Sequence, residues 1–198
     1  KVVRHDPRDG DQTLWLTEQQ REDRDYAAFA ELSYDITPDL TATAGGRVFK
    51  SDNRLLGFFG FSQTWDDLTG SKNGEVSCFK PAVLPNTPCT DLDKETDQYG
   101  FTHKLNLTWR VTDDQMVYFT WSNGFRPGGV NRNSLVTDSP YKPDYLTNFE
   151  AGWKTSWADD TLQWNGALFL ERWNDFQFSF LGPNSLTVIA NAGAAEIK

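Results

Sequence analysis

The chain has one methionine, two histidines and two cysteines in 198 residues. The histidines, His5 and His103, pair with no Ser or Cys in a recognisable motif, so no Ser–His or Cys–His nucleophile is expected. Two cysteines without a CxxC spacing or a nearby histidine exclude a zinc site. The acidic stretch 91–97 lacks the glycine spacing of a calcium loop. Adjacent acids such as Asp66 and Asp67 need a pocket before they mean glycosidase chemistry. No catalytic residue, metal or cofactor is therefore expected, and the chain does not read as an enzyme. Basic residues are also few, with 19 Lys and Arg against 28 Asp and Glu and a net charge of −9. That excludes nucleic acid as a partner, because phosphate binding needs a basic face. No run approaches the ~20 apolar residues of a transmembrane helix. The first residues, Lys1-Val2-Val3, carry neither an initiator Met nor a signal-peptide core, and the chain reads as a piece of something longer.

Aromatics are abundant at 14% of residues, with eight Trp and fourteen Phe. They fall into alternation, the signature of strands with one apolar face. In 26–36 the even positions are Tyr26, Ala28, Ala30, Leu32, Tyr34 and Ile36. In 99–111 the odd positions run from Tyr99 through Leu105 and Leu107 to Trp109 and Val111, against Lys104, Asn106 and Arg110. Val117, Phe119, Trp121 and Phe125 share one face of 116–125. Phe149, Ala151, Trp153 and Trp157 share one face of 149–157, opposite Glu150 and Lys154. One long strand is read over 162–180, and two weaker ones over 40–50 and 186–197. The sum is seven strands and no useful amphipathic helix.

Connections alternate in length. The turns at 37–39, 112–115 and 158–160 are short. The loops 51–98 and 126–145 are long, and residues 1–25 read as the end of another outer loop. Short turns on one rim and long loops on the other describe an outer-membrane barrel wall. A soluble β-sandwich also alternates. Strands of ~10–13 residues suit a tilted membrane crossing and exceed the usual sandwich strand. Tyr34, Trp109, Trp157 and Trp164 gather near the short-turn end as an interfacial girdle. Lys104, Arg110, Glu150 and Lys154 suit a wet lumen. The expected fold is all-β, an antiparallel up-and-down transmembrane β-barrel wall of about seven strands. A barrel must close, and bacterial barrels have even strand numbers, so this is an incomplete barrel.

Specific residues carry a resemblance. Residues 117–131 read Val-Tyr-Phe-Thr-Trp-Ser-Asn-Gly-Phe-Arg-Pro-Gly-Gly-Val-Asn. Tyr141-Lys142-Pro143-Asp144 follows, then Asn148-Phe149-Glu150-Ala151-Gly152-Trp153-Lys154. Together with Phe29–Tyr34, Gly45–Phe49 and Asn191-Ala192-Gly193, in this order, they resemble the barrel of TonB-dependent outer-membrane receptors. Asp144 stands where that family more often has Glu. The resemblance implies a bacterial outer-membrane location and a barrel of about twenty-two strands filled by a plug. It also implies a TonB-type inner-membrane energy-coupling complex as partner, and a scarce ligand, most often a ferric siderophore. Neither the plug nor the C-terminal aromatic strand lies in these 198 residues, so the chain is expected to be one part of such a receptor. The alternatives are a passive porin-like barrel, and a secreted carbohydrate-binding β-sandwich that stacks sugars on Trp and Phe.

Ligand contacts are expected in the outer loops, where function sits on a rigid wall. Acids outnumber bases eight to four in 51–98, so its candidates are aromatic: Trp65 and Phe79. Loop 126–145 offers Asn131, and Arg126, Arg132 and Tyr141, the last three suited to meet an anion. Cys78 and Cys89 read as a local disulfide in an oxidising compartment; the alternative is two unpaired thiols.

Overall fold

The computed structural model describes residues 15–61, 78–132, 140–182 and 187–198. These residues form strands and no helix. Six long strands follow one another: β1 (Trp15–Thr37), β2 (Leu40–Phe61), β3 (Leu92–Thr112), β4 (Gln115–Arg126), β5 (Asp144–Trp157) and β6 (Leu162–Asn174). Three short ones follow: β7 (Gln177–Leu181), β8 (Thr187–Asn191) and β9 (Ala194–Ile197). The main sheet is antiparallel in the order β1-β2-β3-β4-β5-β6-β9, and β7 with β8 forms a separate hairpin. This is an open, up-and-down wall of seven strands.

Register turns the alternation into faces. Leu32 pairs with Ala44, and Ala44 with Leu105. Leu105 and Leu107 lie opposite Trp121 and Phe119, which lie opposite Phe149 and Ala151. One face is thus apolar from edge to edge. It stands open, with Leu32 78% and Leu168 72% exposed, and no second sheet covers it among the described residues. A sandwich would bury this face; a bilayer covers it. The band has a readable upper limit. Ala28, Val48 and Phe101 share one row; the next row outward is Tyr26, Lys50 and Tyr99; beyond it come Arg24, Asp52 and Asp97. The apolar stretch of β1, 26–36, matches the ~9–11 residues of a tilted crossing.

Several boundaries differ from those read in the sequence. β1 begins at Trp15, so much of 1–25 is strand rather than loop. β2 runs to Phe61 and β3 starts at Leu92, which shortens the 51–98 loop at both ends. Alternation is obscured there because no lipid imposes an apolar outer face above the bilayer, and the buried inner face of 51–61 mixes Ser51 and Asn53 with Leu55 and Phe59. The strand read over 162–180 breaks at Asp175, whose φ is 52°. The stretch 186–197 is two strands, of which only β9 joins the main sheet. Phe125 also leaves the apolar face. The β3–β4 pairing stops at Lys104–Ser122, the Asn123 side chain takes the next donor, His103 N–H, at 2.7 Å, and Phe125 stacks on Phe49 with ring centroids 3.6 Å apart.

The polar face is bonded across strands. Lys104 reaches Glu31 at 3.1 Å over the bare backbone of Gly45, which lies between them in register. The Tyr118 hydroxyl donates to Glu150 at 2.6 Å across Gly152, where a Cβ would sit 2.4 Å from the tyrosine ring. Arg110 and Lys154 flank Met116 in one row.

A folded-in outer mouth

Buried residues gather on the polar side at the outer end of the wall. Leu55 and Phe59 of β2, Leu92 of β3 and Val130 of the β4–β5 connection form one apolar cluster. Val130 can reach the wall because β4 ends in Arg126-Pro127-Gly128-Gly129. Proline ends the ladder, and the glycines let the backbone pack closely: a Cβ on Gly128 would lie 2.3 Å from the Tyr141 carbonyl, and one on Gly129 2.5 Å from its hydroxyl. Residues 127–131 therefore fold inward over the wall. Gln98 accepts from Gly128 N–H at 3.0 Å. Asn53, itself bonded to Asp23, accepts from Val130 N–H at 3.1 Å. Arg21 donates to the Val130 carbonyl at 3.3 Å.

The β7–β8 hairpin lies against the same segment. Asn131 is 7% exposed. Its amide brackets Ile189, donating to the carbonyl at 2.7 Å and accepting from N–H at 2.9 Å. Asn191 brackets Lys142 in the same way, at 2.9 and 2.7 Å. Gln177 donates to the carbonyls of Pro127 and Lys142. Below them Asp144, 1% exposed, pairs with Arg126 and accepts Gln177 N–H at 3.0 Å. Burial acts to raise the Asp144 carboxyl, but the hydrogen bonds from Arg126 and Gln177 outweigh it and hold it below its ordinary value. Arg126 also lies over the ring of Trp173 at 4.8 Å.

A second tie sits at the end of β2. Gly57 has φ +145°, and a Cβ there would collide with the Glu18 carbonyl at 2.2 Å. Its own carbonyl accepts Asp91 N–H, and the Asp91 carboxyl accepts Phe59 N–H at 3.0 Å. Burial pushes that carboxyl up to about 6 against the pull of the backbone donor. Cys78 and Cys89 form a disulfide, Cα atoms 5.8 Å apart, that closes the stretch before Asp91.

The residues singled out as ligand contacts thus separate. Trp65 lies outside the described residues. Phe79 is half exposed, beside Lys80, whose ammonium is 5.6 Å from the ring centre. Arg126, Asn131 and Tyr141 hold the mouth together, Tyr141 through a backbone bridge to Gly129. Arg132 is different. Its guanidinium lies over the Phe59 ring at 5.5 Å. Burial first, and then the positive charge of Arg21, push it below its ordinary value. Among the described residues no carboxylate pairs with it. Arg21 was not singled out in the sequence, since its partner lies 109 residues away in a loop that only folding brings near.

A family model described as TonB-dependent receptor-like β-barrel matches residues 6–198. The pesticin receptors of Yersinia enterocolitica and Yersinia pestis are 30% identical over 172 residues, which is 86% of this chain and 22% of theirs. The ferric yersiniabactin uptake receptor FyuA of Yersinia pestis superposes with a TM-score of 0.63 at 18% identity, over 90% of this chain and 23% of that one. The ferric-catecholate import receptor Fiu of E. coli K12 gives 0.54 at 18% identity, over 79% and 20%. The alcaligin outer-membrane receptor FauA of Bordetella pertussis gives 0.53 at 14%, over 90% and 26%. The chain spans about a fifth of the length of the curated relatives it matches. It belongs to the TonB-dependent receptor β-barrel family and to the bacterial outer membrane.

Proposed function

We propose that this stretch of TonB-dependent receptor wall and mouth serves energy-coupled uptake of a scarce nutrient, a ferric siderophore or a similar anionic complex. The observation that carries the reading is the half-buried Arg132 guanidinium over the Phe59 ring, with no carboxylate partner among the described residues and with the positive charge of Arg21 acting on it. A partly desolvated guanidinium that faces a second positive charge is satisfied by an anion with oxygen acceptors. Phe59 supplies a flat apolar floor beneath. Similarity to receptors named for ferric yersiniabactin and ferric catecholates supports the substrate class. In this reading the chain binds and does not catalyse. Its partners are the rest of its barrel, a plug within it, the surrounding bilayer and an inner-membrane energy-coupling complex.

The test uses the full-length receptor. Ferric complexes of catecholate, hydroxamate and phenolate siderophores are titrated while tryptophan fluorescence is followed. Binding of one class at micromolar concentration or tighter is expected. Arg132→Gln should weaken it by roughly tenfold or more, the worth of a charge-assisted hydrogen bond, and added salt should narrow the gap. Binding indifferent to Arg132 refutes the assignment. Uptake that persists without an energised inner membrane favours a passive pore instead.

A further inference from the structure

We propose that residues 127–132 and 140–143 between β4 and β5 form one mechanical unit with strands β7 and β8, locked by reciprocal asparagine brackets, so that displacing either segment displaces the other. The inference rests on described residues alone and stands whether or not Arg132 holds a ligand. Asn131, carried by the first segment, brackets Ile189 of the second. Asn191, carried by the second, brackets Lys142 of the first and also donates to the Asp175 carbonyl at 2.7 Å. A primary amide is the one neutral side-chain group with a donor and an acceptor side by side, so it can occupy both backbone groups of a residue at once. Gln177 and Asp144 add further bonds between the same two segments.

The joined unit has two anchorages. At one end it continues into β4, β5, β6 and β9. At the other, Gly128 and Val130 are fixed to Gln98, Asn53 and Arg21 of β3, β2 and β1. It ties one part of the wall to the other on the polar side. Two short segments with separate contacts would open separately. Here the Asn131 bracket leaves both Ile189 backbone groups unpartnered when it breaks, and the Asn191 bracket leaves the Lys142 N–H so, its carbonyl keeping Gln177; those groups belong to the opposite segment. Opening should therefore be shared.

Hydrogen exchange on the full-length receptor in detergent reads this directly. Asn131→Ala removes the Ile189 bracket. The expected result is faster exchange at Ile189 and also, by about tenfold, at Lys142, whose own bracket is untouched. Asn191→Ala should do the converse, speeding Val130 and Ile189 as well as Lys142. The double variant should exceed the larger single one only slightly, because shared opening is non-additive. Asn131→Asp and Asn191→Asp keep size and one acceptor, and they should show the same remote effects if the alanine variants are not recovered folded. If each variant speeds only the amide it touches, and the effects multiply in the double, the segments are independent and the proposal fails.

Discussion

Asp144 concentrates the energetics of the mouth, and its removal should be felt beyond its own strand. The carboxylate is 1% exposed. It accepts from Arg126 Nε at 3.1 and 3.0 Å, from Arg126 Nη2, and from Gln177 N–H. Breaking a fully buried ion pair costs about 3–5 kcal/mol. Arg126 is about half exposed, so water recovers part of its loss, whereas Gln177 N–H keeps a desolvation cost of ~1–3 kcal/mol. Asp144→Ala should cost the mouth roughly 2–3 kcal/mol. Asp144→Asn keeps size and an acceptor for Gln177, and should cost about half that. Read as local opening, the alanine variant should speed exchange at Gln177 by roughly 30- to 150-fold. Acid should erase the difference. The folded carboxyl titrates below its ordinary value of 3.8, so its stabilisation is complete above that pH and fades as pH falls below it. Equal exchange in Asn and Ala variants, or a wild-type mouth indifferent to acid below pH 3.8, would refute this account.

Leu107, on the lipid face between Ala42 and Phe119, should not tolerate charge: Leu107→Lys is expected to cost ~2–4 kcal/mol near the midplane, seen as less folded barrel in unheated gels. Gly152→Ala places a methyl against the Tyr118 ring and should swing it from Glu150, costing ~1–3 kcal/mol by overpacking and the lost bond. A Tyr118→Phe background should recover little, since the clash is with the ring. Asp91 carries the opposite pH sign to Asp144. Its midpoint rises from 3.8 to about 6 on folding, so the β2–β3 corner should weaken as pH rises through that interval, by at most ~3 kcal/mol. Asp91→Asn should flatten the profile at the Phe59 amide once intrinsic exchange is corrected for, and parallel profiles would remove the assignment.

The wall was legible wherever a bilayer imposes one-sided apolarity. Leu105, Leu107, Phe119, Trp121 and Trp153 alternate because lipid demands it, and the structure puts them on one open face. The same logic explains what was missed. Above the row of Tyr26, Lys50 and Tyr99 no lipid imposes an apolar outer face, and the buried inner face of 51–61 mixes polar Ser51 and Asn53 with Leu55 and Phe59, so 15–25 and 51–61 keep their ladder without a clear period and read as loop. The break at Asp175 needs a left-handed residue, and aspartate gives a weaker signal for that conformation than glycine. Phe125 looked like another lipid-facing aromatic because Asn123 ends the β3–β4 ladder through its side chain, which strand periodicity does not register.

The mouth was harder for a different reason. A connection that folds inward buries backbone it cannot satisfy by itself, and buried N–H and C=O groups must find partners. Here amide side chains supply them: Asn53, Gln98, Asn131, Gln177 and Asn191 each bond backbone groups of the outer segments. Polar residues beside a glycine-rich strand exit resemble ligand contacts in a sequence, and the Asn131 amide is one whose donor and acceptor both go to the Ile189 backbone. Geometry separates the two uses. A residue whose hydrogen-bonding groups are consumed by backbone has none left to offer a ligand. Arg126 is consumed by Asp144 and the Gln177 carbonyl. Arg132, one residue beyond Asn131, feels the positive charge of Arg21 and has no carboxylate partner among the described residues. Of the five loop candidates that the structure describes, Arg132 is a cation with no carboxylate partner among the described residues, so a variant scan for ligand binding should separate it from Arg126. Loss at Arg132 should weaken binding with the mouth intact, whereas loss at Arg126 should loosen the mouth first.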